Sequence, residues 1–396
     1  MRRMTSVTSI LLLLSSASLA ETPQPLCVAT LDEMPKSWQP TDEVRGTLNP
    51  APWSEAEAQD AVASIDAGLH QMIDHYVKHP GAVEVLWEDS VGSVFEVTFS
   101  SVNKPELDMA ARAAAQKNLS QLIEPFLKRE SKTATCGDYE KLLPLAMYSH
   151  RLFAADDART PAVVALTNAA YQDCGSLKDA IGYDYPKMIA SNTSPVDDVF
   201  DLVIWSLLFT EIELYPDIIM PEGAREFTPA LWKYLENYPL VGATAYEDGA
   251  FEDAFIETAY LATHIAYIPT GNHRYPLYIE DSPKLYQFMR ENFYAILQMG
   301  ELDLVAEVVD TFRQYGCNDE NDAQVRDGAR YLLNLYHSLG NDWSAYREPE
   351  ETTVDDYDLI HKIWTGISGV RIREWETPAP GNYGGVIRSW LPHPRQ

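Results

Sequence analysis

The chain has 396 residues, of which 46% are hydrophobic and 11% aromatic, so it is long enough to bury a large core. Its formal net charge is −29, and a negative field of that size opposes the binding of nucleic acid and of anionic lipid surfaces. The same charge disfavours a strongly anionic polysaccharide as a substrate. We therefore expect no nucleic-acid partner.

The first twenty residues have the pattern of a secretory signal peptide. Arg2 and Arg3 give a positive start, Ile10–Leu14 form a short apolar centre, and Ser18 and Ala20 are small residues of the kind that precede cleavage. We place the cleavage after Ala20. The apolar run is shorter than the ~20 residues that a membrane helix needs, so no membrane span is expected. The sequence thus predicts an exported protein, periplasmic or secreted.

Four cysteines follow the predicted signal peptide: Cys27, Cys136, Cys174 and Cys317. No two of them form a C-x-x-C pair, which argues against a zinc ribbon or a thioredoxin-like site. In an oxidising compartment they can form two disulfides, and the sequence leaves all three pairings open.

The segment that follows, residues 21–53, is rich in Pro, Thr and Ser and predicts an irregular N-terminal segment. Ser54 and Glu57 form a capping-box pattern, which predicts a helix from there to about His79. Residues 82–102 alternate β-branched and aromatic residues around a glycine, so a small β-hairpin is expected.

From residue 105 onward the hydrophobic pattern is helical, with apolar residues recurring at a period near 3.6. Helices are predicted near 105–129, 138–154, 160–173, 197–215, 227–237, 250–268, 282–299, 301–315, 323–339 and 356–370. Pro283 follows a capping serine, and Gly300, Gly316 and Gly340 lie where helices end. We predict an all-α domain over residues 54–396, built of helical hairpins in an (α/α) toroid-like or superhelical arrangement. A looser helical bundle is the alternative.

The predicted helix 250–268 carries the first set of candidate catalytic residues. Glu257, Tyr260, His264 and Tyr267 recur on one side of it, opposite a stripe of small apolar residues. A carboxylate, a phenol and an imidazole on one stripe are suited to acid/base chemistry. We therefore take Glu257, His264 and Tyr267 as catalytic candidates; the alternative is a half-buried helix with a hydrogen-bonded histidine.

The break after this helix, "PTGNHRYP", supplies candidate substrate-binding residues: Asn272, His273, Arg274 and Tyr275. Some polysaccharide lyases on (α/α) toroids use residues of these types to abstract a proton and to neutralise a uronate. The alternative is a turn with solvated polar tips. We expect Glu257 and His264 in an active site before His273.

The segment 300–316 places Asp303, Glu307, Asp310 and Gln314 along one helix face, and a solvated acidic face is the alternative to a functional one. The pairing of "ATHIAYIPTG" with the later "DLVAE" resembles an uncharacterised bacterial helical family in which an A-T-H-x-x-[FY] helix precedes a D-L-V-A-E helix. The resemblance covers residues 255–315. It implies no activity, but it favours functional roles for His264 and Glu307, and we add Asp303 as a substrate-binding candidate.

Two further helices carry isolated polar residues. Glu211 interrupts an otherwise apolar helix, so its carboxyl must be hydrogen-bonded, ion-paired or protonated, and it is a candidate general acid. His361 and Trp364 lie three residues apart and are candidates for binding a sugar or another ring. Structural anchoring of Glu211 and core packing of the second pair are the alternatives.

A metal site has one candidate, formed by Asp74, His75 and His79 on the first long helix. The glutamate of H-E-x-x-H is absent and no third ligand is evident, so we assign no metal ligand. The sequence indicates no particular cofactor.

The leading hypothesis is an exported enzyme with an aromatic, carboxylate-rich cavity, acting on a carbohydrate or a similar polar molecule as a glycoside hydrolase or lyase-like (α/α) enzyme. Two alternatives remain open: a non-catalytic helical scaffold that binds a protein or peptide, and an extracytoplasmic metal-dependent protein.

Overall fold

The structure is a computed structural model that describes residues 26–99, 104–129, 134–191, 195–244, 246, 251–271, 273, 275–347 and 353–371. Across these residues the chain forms α-helices and short 3₁₀ turns, and no strand is present among them. The predicted all-α class is therefore confirmed. Within the same ranges no helix is both long and apolar enough to cross a membrane. The predicted signal peptide, residues 1–20, lies outside the described residues.

The α-helices, in chain order, are α1 (Asp42–Arg45), α2 (Glu55–Lys78), α3 (Ala82–Leu86), α4 (Asp89–Phe95), α5 (Pro105–Leu127), α6 (Tyr139–Leu152), α7 (Arg159–Cys174), α8 (Leu177–Ile181), α9 (Tyr185–Ser191), α10 (Val196–Ile212), α11 (Ala224–Leu235), α12 (Asp253–Thr270), α13 (Pro283–Met299), α14 (Leu302–Gln314), α15 (Ala323–Ser338) and α16 (Asp356–Val370).

Capping residues set several helix ends where the sequence predicts them. The Ser54 hydroxyl accepts from the backbone N–H of Glu57, and the Glu57 carboxylate accepts from the backbone N–H of Ser54, so the capping box of α2 is complete. Gly300 closes α13 at φ +77°, and Gly316 and Gly340 follow α14 and α15 at φ +89° and +75°. A side chain at these left-handed positions would be strained.

The β-hairpin predicted over 82–102 is wrong: the chain forms α3, α4 and a 3₁₀ turn, Glu96–Phe99, and residues 100–102 lie outside the described residues. All seven residues of α4 except Asp89 are buried, so hydrophobic alternation carries no information about a solvent face there. A short apolar run is compatible with a buried strand or a buried helix. Packing of α4 against α5 and α16 selects the helix.

Six helices, α4, α6, α10, α12, α14 and α16, contact one another in sequence order, and α16 contacts α4. Helices α4 and α6 contact each other through the rings of Phe95 and Tyr148, which meet edge-on with 6.3 Å between their centroids. The intervening helices α5, α7, α11, α13 and α15 pack against members of this set, and α2 packs against α16. Helices that follow one another in the chain thus pack together as helical hairpins. The toroid-like arrangement and the single domain over 54–396 stay predictions.

A glycine allows α14 and α16 to approach closely. A Cβ atom placed on Gly369 would lie 2.8 Å from the Cα atom of Ala306, closer than such atoms come in proteins. The close approach lets side chains of α16 reach polar groups of α14. His361 and Thr365 both contact the Asp303 carboxylate in this way.

The four cysteines form two disulfides, Cys27–Cys317 and Cys136–Cys174, so the predicted disulfides are confirmed and their pairing is settled. The first joins the start of the described chain to the turn that follows α14.

A buried ion pair fastens the N-terminal segment beside that disulfide. Arg290 and Asp322 are fully buried, with a guanidinium nitrogen 2.9 Å from a carboxylate oxygen. Arg290 also donates to the carbonyl of Leu26, and Asp322 accepts from the backbone N–H of Val28. A buried pair is strongly stabilised by such additional hydrogen bonds, because both charges are then satisfied. The N-terminal segment is therefore held as part of the core.

Candidate active site

A cavity of about 330 Å³ opens between the six helices α4, α6, α10, α12, α14 and α16. Its wall takes side chains from each of them and from the turn after α12. The carboxylates of the wall are Glu88, Asp89, Glu96, Glu211, Glu307 and Asp310; its histidines are His264, His273 and His361; its larger aromatic residues are Tyr148, Phe200, Tyr267, Tyr357 and Trp364. A concave site that combines titratable groups with aromatic faces suits a polar ligand.

Glu88 and Asp89, at the start of α4, carry carboxyl groups whose pKa values are raised by burial. Burial raises the pKa of Glu88 to about 7, and the neighbouring charge of Asp89 raises it further. Burial raises the pKa of Asp89 to about 6, although the charge of His361 opposes the shift. Within the described residues neither carboxyl has a side-chain hydrogen bond or an ion pair. Both groups therefore exchange protons close to neutral pH.

Trp87 is the residue between α3 and the two carboxyl residues, and its backbone conformation is unusual. It has φ +51° and ψ −126°, a conformation that a bulky residue adopts only when its surroundings enforce it. Its indole N–H donates to the carbonyl of Lys141 at 3.0 Å, and its ring meets Phe126 edge-on at 6.0 Å. Backbone strain of this kind concentrates at functional sites.

Arg371 compensates two carboxylates of the wall. Its guanidinium lies 3.3 Å from Asp310 and 3.4 Å from Glu96, and all three groups are buried. Burial lowers the pKa of Arg371, but the charges of Asp310 and Glu96 outweigh burial and raise it. Glu96 also accepts from the indole N–H of Trp364 at 3.0 Å, and Asp310 lies 3.2 Å from Nδ1 of His273, a residue at φ +65°.

His264 is held in one orientation by its own helix. Its Nδ1 lies 2.9 Å from the carbonyl oxygen of Tyr260, and because a carbonyl only accepts, Nδ1 carries the hydrogen. In the neutral ring the lone pair is then on Nε2. The hydroxyl of Thr263 donates to Glu307 at 2.7 Å, and burial raises the pKa of Glu307. Phe200 packs on the other side of the imidazole, with 4.3 Å between ring centroids.

His361 forms a dyad with Asp303. Nδ1 of His361 lies 3.2 Å from the Asp303 carboxylate, which also accepts from the Thr365 hydroxyl at 2.5 Å. Burial lowers the pKa of His361, but the hydrogen bond and charge of Asp303 outweigh burial and raise it to about 9. The Tyr357 ring stacks on the imidazole at 5.4 Å. His361 is therefore an imidazolium at neutral pH, with Nδ1–H oriented by the carboxylate.

Glu211 is buried in the wall, as its position in an apolar helix predicts. The Tyr215 hydroxyl donates to its carboxylate at 3.4 Å, and the guanidinium of Arg151 lies 3.8 Å away. This carboxylate therefore has a cationic neighbour.

The cavity gathers seven of the predicted site residues: Glu211, His264, Tyr267, His273, Glu307, His361 and Trp364. Asp303 lies directly behind His361. Glu257 requires a correction, because it is exposed and does not line the wall. It shares a stripe with Tyr267, but ten residues separate them, and a rise of 1.5 Å per residue places Glu257 about 15 Å along the axis from Tyr267.

The residues of the substrate-binding loop predicted after α12 do not all line the cavity. His273 lines the cavity and Glu257 does not, which is the reverse of the order expected from the sequence. Tyr275 is buried outside the wall, and its backbone N–H donates to the carbonyl of Thr270 at 3.0 Å. Asn272 and Arg274 lie outside the described residues.

The polar face of α14 is turned inward. Asp310 and Gln314 are 1% and 0% exposed, and Glu307 is 6% exposed, so the alternative of a solvated acidic face is wrong.

Three carboxylates of the wall escape the sequence-based prediction: Glu88, Asp89 and Glu96. All lie within 82–102, the segment predicted as a β-hairpin, and that prediction assigned none of them to a site. The available signal is the acidic pair in "VLWEDSV", which interrupts an apolar run as Glu211 does in α10.

The histidines of the possible metal site have other contacts. His75 and His79 stack with 4.7 Å between ring centroids, and Nε2 of His75 lies 2.9 Å from the carboxylate of Asp356. Over the part of the chain that is described, one set of three His, Cys, Asp or Glu residues has its ligand atoms within 4.8 Å: Cys27, Cys317 and Asp322. Its cysteines form a disulfide, which leaves no thiolate ligand.

A groove of about 450 Å³ lies between the N-terminal segment and helices α13 and α15. Its main charges are paired: Arg330 lies 2.6 Å from the Glu57 carboxylate and lowers the Glu57 pKa to about 2. Arg330 also donates to the carbonyls of Asn49 and Pro52. Arg330 therefore holds the chain before α2 in place. We interpret this groove as a structural feature and assign no site to it.

Comparison of the chain with protein-family models, with curated proteins and with solved structures finds no match. The chemistry of the cavity is therefore the basis for assigning a function.

Proposed function

We propose that this protein is an exported enzyme that hydrolyses a glycosidic bond, or a comparable bond of a polar substrate, in the helix-lined cavity. The observation that carries the proposal is the presence, in one cavity, of two carboxyls that titrate near neutral pH, Glu88 and Asp89, with an oriented histidine, His264. Hydrolysis of a glycosidic bond needs one group that donates a proton and one that accepts a proton in the same cavity, and a carboxyl group and an imidazole can fill these two roles.

Asp89 is assigned the role of general acid. With a pKa of about 6, it retains a proton on part of the molecules near neutral pH and is a strong enough acid to donate it. In the proposed step Asp89 gives its proton to the leaving glycosidic oxygen as the bond to the anomeric carbon breaks. Glu88, next in the chain, is the alternative donor.

His264 is assigned the role of general base. The Tyr260 carbonyl fixes Nδ1–H, so Nε2 is the basic nitrogen of the neutral ring. It accepts a proton from the attacking water, whose oxygen bonds to the anomeric carbon. Water thus supplies the hydroxyl of one product, and the proton from Asp89 completes the other.

Electrostatics favour hydrolysis over elimination from a uronate. A lyase needs a cation or amide to neutralise the uronate, but Arg371 already compensates Glu96 and Asp310. Glycoside hydrolysis instead develops positive charge on the sugar in its transition state. A wall rich in carboxylates stabilises that charge.

Aromatic residues supply surfaces on which a sugar ring can lie. Trp364 and Tyr357 line the wall from α16, and Tyr357 is 42% exposed. The Trp364 ring is fixed by its N–H bond to Glu96 and meets His361 edge-on at 6.0 Å. Rigid aromatic faces bind apolar sugar faces at low entropic cost.

Export and the helical arrangement belong to the same proposal. The signal-peptide pattern of residues 1–20 and the two disulfides, Cys27–Cys317 and Cys136–Cys174, support an oxidising extracytoplasmic location, periplasmic or secreted. The sequential contacts of the six cavity helices support an (α/α) toroid-like arrangement.

The test is a screen of the purified mature protein against a panel of glycans, with release of reducing ends as the measurement. Asp89→Asn and His264→Ala should each lower the rate by about 10²-fold or more. Glu257→Gln removes a charge from the exposed part of α12 and should keep the rate of the unmodified protein. Glycan cleavage that survives both cavity substitutions would exclude the assigned roles.

The outcome also separates the other classes of function. Peptide binding at the cavity without turnover of any glycan would favour a binding scaffold. Activity that is abolished by chelation and restored by one metal ion would favour a metal-dependent protein.

A further inference from the structure

We infer that the ligand of this cavity carries a cationic group, a protonated amine or a guanidinium, which pairs with the Glu307 carboxylate. This inference rests on the proposed function, because it specifies the substrate class of the same cavity. It would make an amino sugar or a similarly basic molecule the preferred ligand.

The first argument is the distribution of charge around the cavity. The cation–carboxylate contacts are Arg371 with Glu96 and Asp310, Arg151 with Glu211, and His361 with Asp303. Each cation thus already lies against a carboxylate of its own. Two further histidines lie near carboxylates and are cations only when protonated: His264 is 3.9 Å from Glu307, and His273 is 3.2 Å from Asp310. Glu307, Glu88 and Asp89 remain without a guanidinium or ammonium partner among the described residues. The cavity has an excess of negative charge that a cationic ligand would balance.

The second argument is the position of Glu307 itself. Its residue is 6% exposed, and it receives a hydrogen bond from Thr263 at only one oxygen, Oε2. The nearest ring nitrogen, Nδ1 of His264, is 3.9 Å away and directs its hydrogen to the carbonyl of Tyr260. The other oxygen, Oε1, has no partner within the described residues, and the side chain lines the cavity. A carboxylate buried in this way is unfavourable unless a cation or a donor completes it.

Aromatic rings lie within the field of the same carboxylate. The charge of Glu307 acts on the phenols of Tyr267 and Tyr357, which both line the wall. Burial is the main cause of the raised pKa of each, and it brings that of Tyr357 to about 12, so both rings are neutral phenols at physiological pH. A carboxylate bordered by neutral aromatic rings is a favourable site for an ammonium or guanidinium group.

The spacing of the carboxylates favours an organic cation over a metal ion. In the described part of the chain no three ligand atoms of the cavity residues lie within 4.8 Å of one another. A divalent ion needs several oxygen ligands at 2.0–2.6 Å, which such spacing does not provide without rearrangement. An organic cation requires one carboxylate and a surrounding surface.

The experiment uses three sugars of similar size that differ in charge: glucosamine, glucose and glucuronate. Their dissociation constants for the mature protein are measured by isothermal titration calorimetry at pH 7 in phosphate buffer, which contains no competing amine. Glucosamine should bind about tenfold or more tightly than glucose, as expected for one charge-assisted hydrogen bond, and glucuronate should bind most weakly. Glucosamine binding that is absent, or no tighter than that of glucose, would overturn the inference.

Glu307→Gln tests the assigned partner. Glutamine keeps the shape of the side chain and an acceptor for the Thr263 hydroxyl, but it removes the charge. The preference for glucosamine should fall below about threefold, while glucose binding is retained. Glu257→Gln, the matched substitution at an exposed position, should preserve the full preference. A full preference in Glu307→Gln would overturn the role of Glu307.

A second variant tests the inference independently, in case the buried substitution Glu307→Gln prevents folding. Tyr357→Leu changes a 42% exposed residue and removes an aromatic face. It should weaken glucosamine binding about three- to tenfold and glucose binding less. Equal losses for both sugars would contradict recognition of a cation by this ring. Calcium or magnesium binding that disappears in Glu307→Gln would overturn the inference in favour of a metal site.

These results are distinguishable from a failure of the proposed function. Hydrolysis of neutral glycans without a preference for glucosamine would support the enzyme and overturn the cationic ligand. A glucosamine preference that depends on Glu307, without hydrolysis of any glycan, would do the reverse.

Discussion

Replacing Asp303 by asparagine should destabilise the protein near pH 7 and leave its stability almost unchanged near pH 10. The pKa of His361 is raised to about 9 in the folded protein, and its ordinary value is near 6.5. A raised pKa contributes stability that is fully present below pH 6.5 and is lost as the pH rises through 9. A difference of about 2.5 pKa units corresponds to about 3 kcal/mol, and partial solvent screening makes 2–3 kcal/mol the expected loss.

The measurement is the free energy of unfolding in urea, followed by tryptophan fluorescence at pH 6, 7, 8 and 10. The two contacts use different oxygens of Asp303: Oδ2 for Nδ1–H of His361 and Oδ1 for the Thr365 hydroxyl. The amide oxygen of asparagine can still accept from His361, and its NH₂ group can donate to the Thr365 hydroxyl oxygen, so the substitution removes the charge and keeps a hydrogen-bonding group at each position. In ¹⁵N-labelled protein the pKa of His361 should fall by about two units. A loss of equal size at pH 7 and pH 10 would refute the electrostatic reasoning, as would a loss below about 0.5 kcal/mol at pH 7.

Two further substitutions probe the supports of the cavity. Arg371→Gln should lower the free energy of unfolding at pH 7 by about 3–5 kcal/mol, because it leaves Glu96 and Asp310 buried without a cation. Thermal unfolding at pH 7 should show a lower Tm for the variant, and an unchanged Tm would contradict the prediction. Replacing Cys27 and Cys317 together by serine opens a loop of 290 residues and should reduce stability by about 2–5 kcal/mol. Identical urea unfolding with and without this disulfide would show that it does not constrain the unfolded chain.

Helix positions are largely predictable from the sequence because local signals determine them. Ser54 caps α2 through contacts within four residues, and Gly300 ends α13 because it adopts a positive φ. The periodic apolar residues of α12 and α14 identify the buried faces of both helices. The inward face of α14 is harder to assign, because a carboxylate such as Glu307 looks the same in sequence whether water or a cavity surrounds it.

The remaining parts of the site depend on contacts between distant segments. Arg371 meets Glu96 across 275 residues, and His361 meets Asp303 across 58, so no local pattern reveals either pair. The α4 segment is misassigned because its residues after Asp89 are buried on every side, so the alternation of its apolar residues does not mark a solvent-facing side. Glu257 is misplaced for a different reason: periodicity gives the angle of a side chain around a helix but not which turn of the helix reaches the cavity.

The pairing of the cysteines has a consequence for how the chain matures. Cys27 and Cys317 are joined across an interval that contains the whole of the Cys136–Cys174 loop. A chain that enters an oxidising compartment N-terminus first exposes Cys27 together with Cys136 well before Cys317 arrives. A bond between Cys27 and Cys136 formed during entry would be a wrong one, and thiol–disulfide exchange would have to undo it before the N-terminal segment could reach its place beside Arg290. We therefore expect the yield of correctly paired protein to rise when a disulfide isomerase or a redox buffer that allows reshuffling is present.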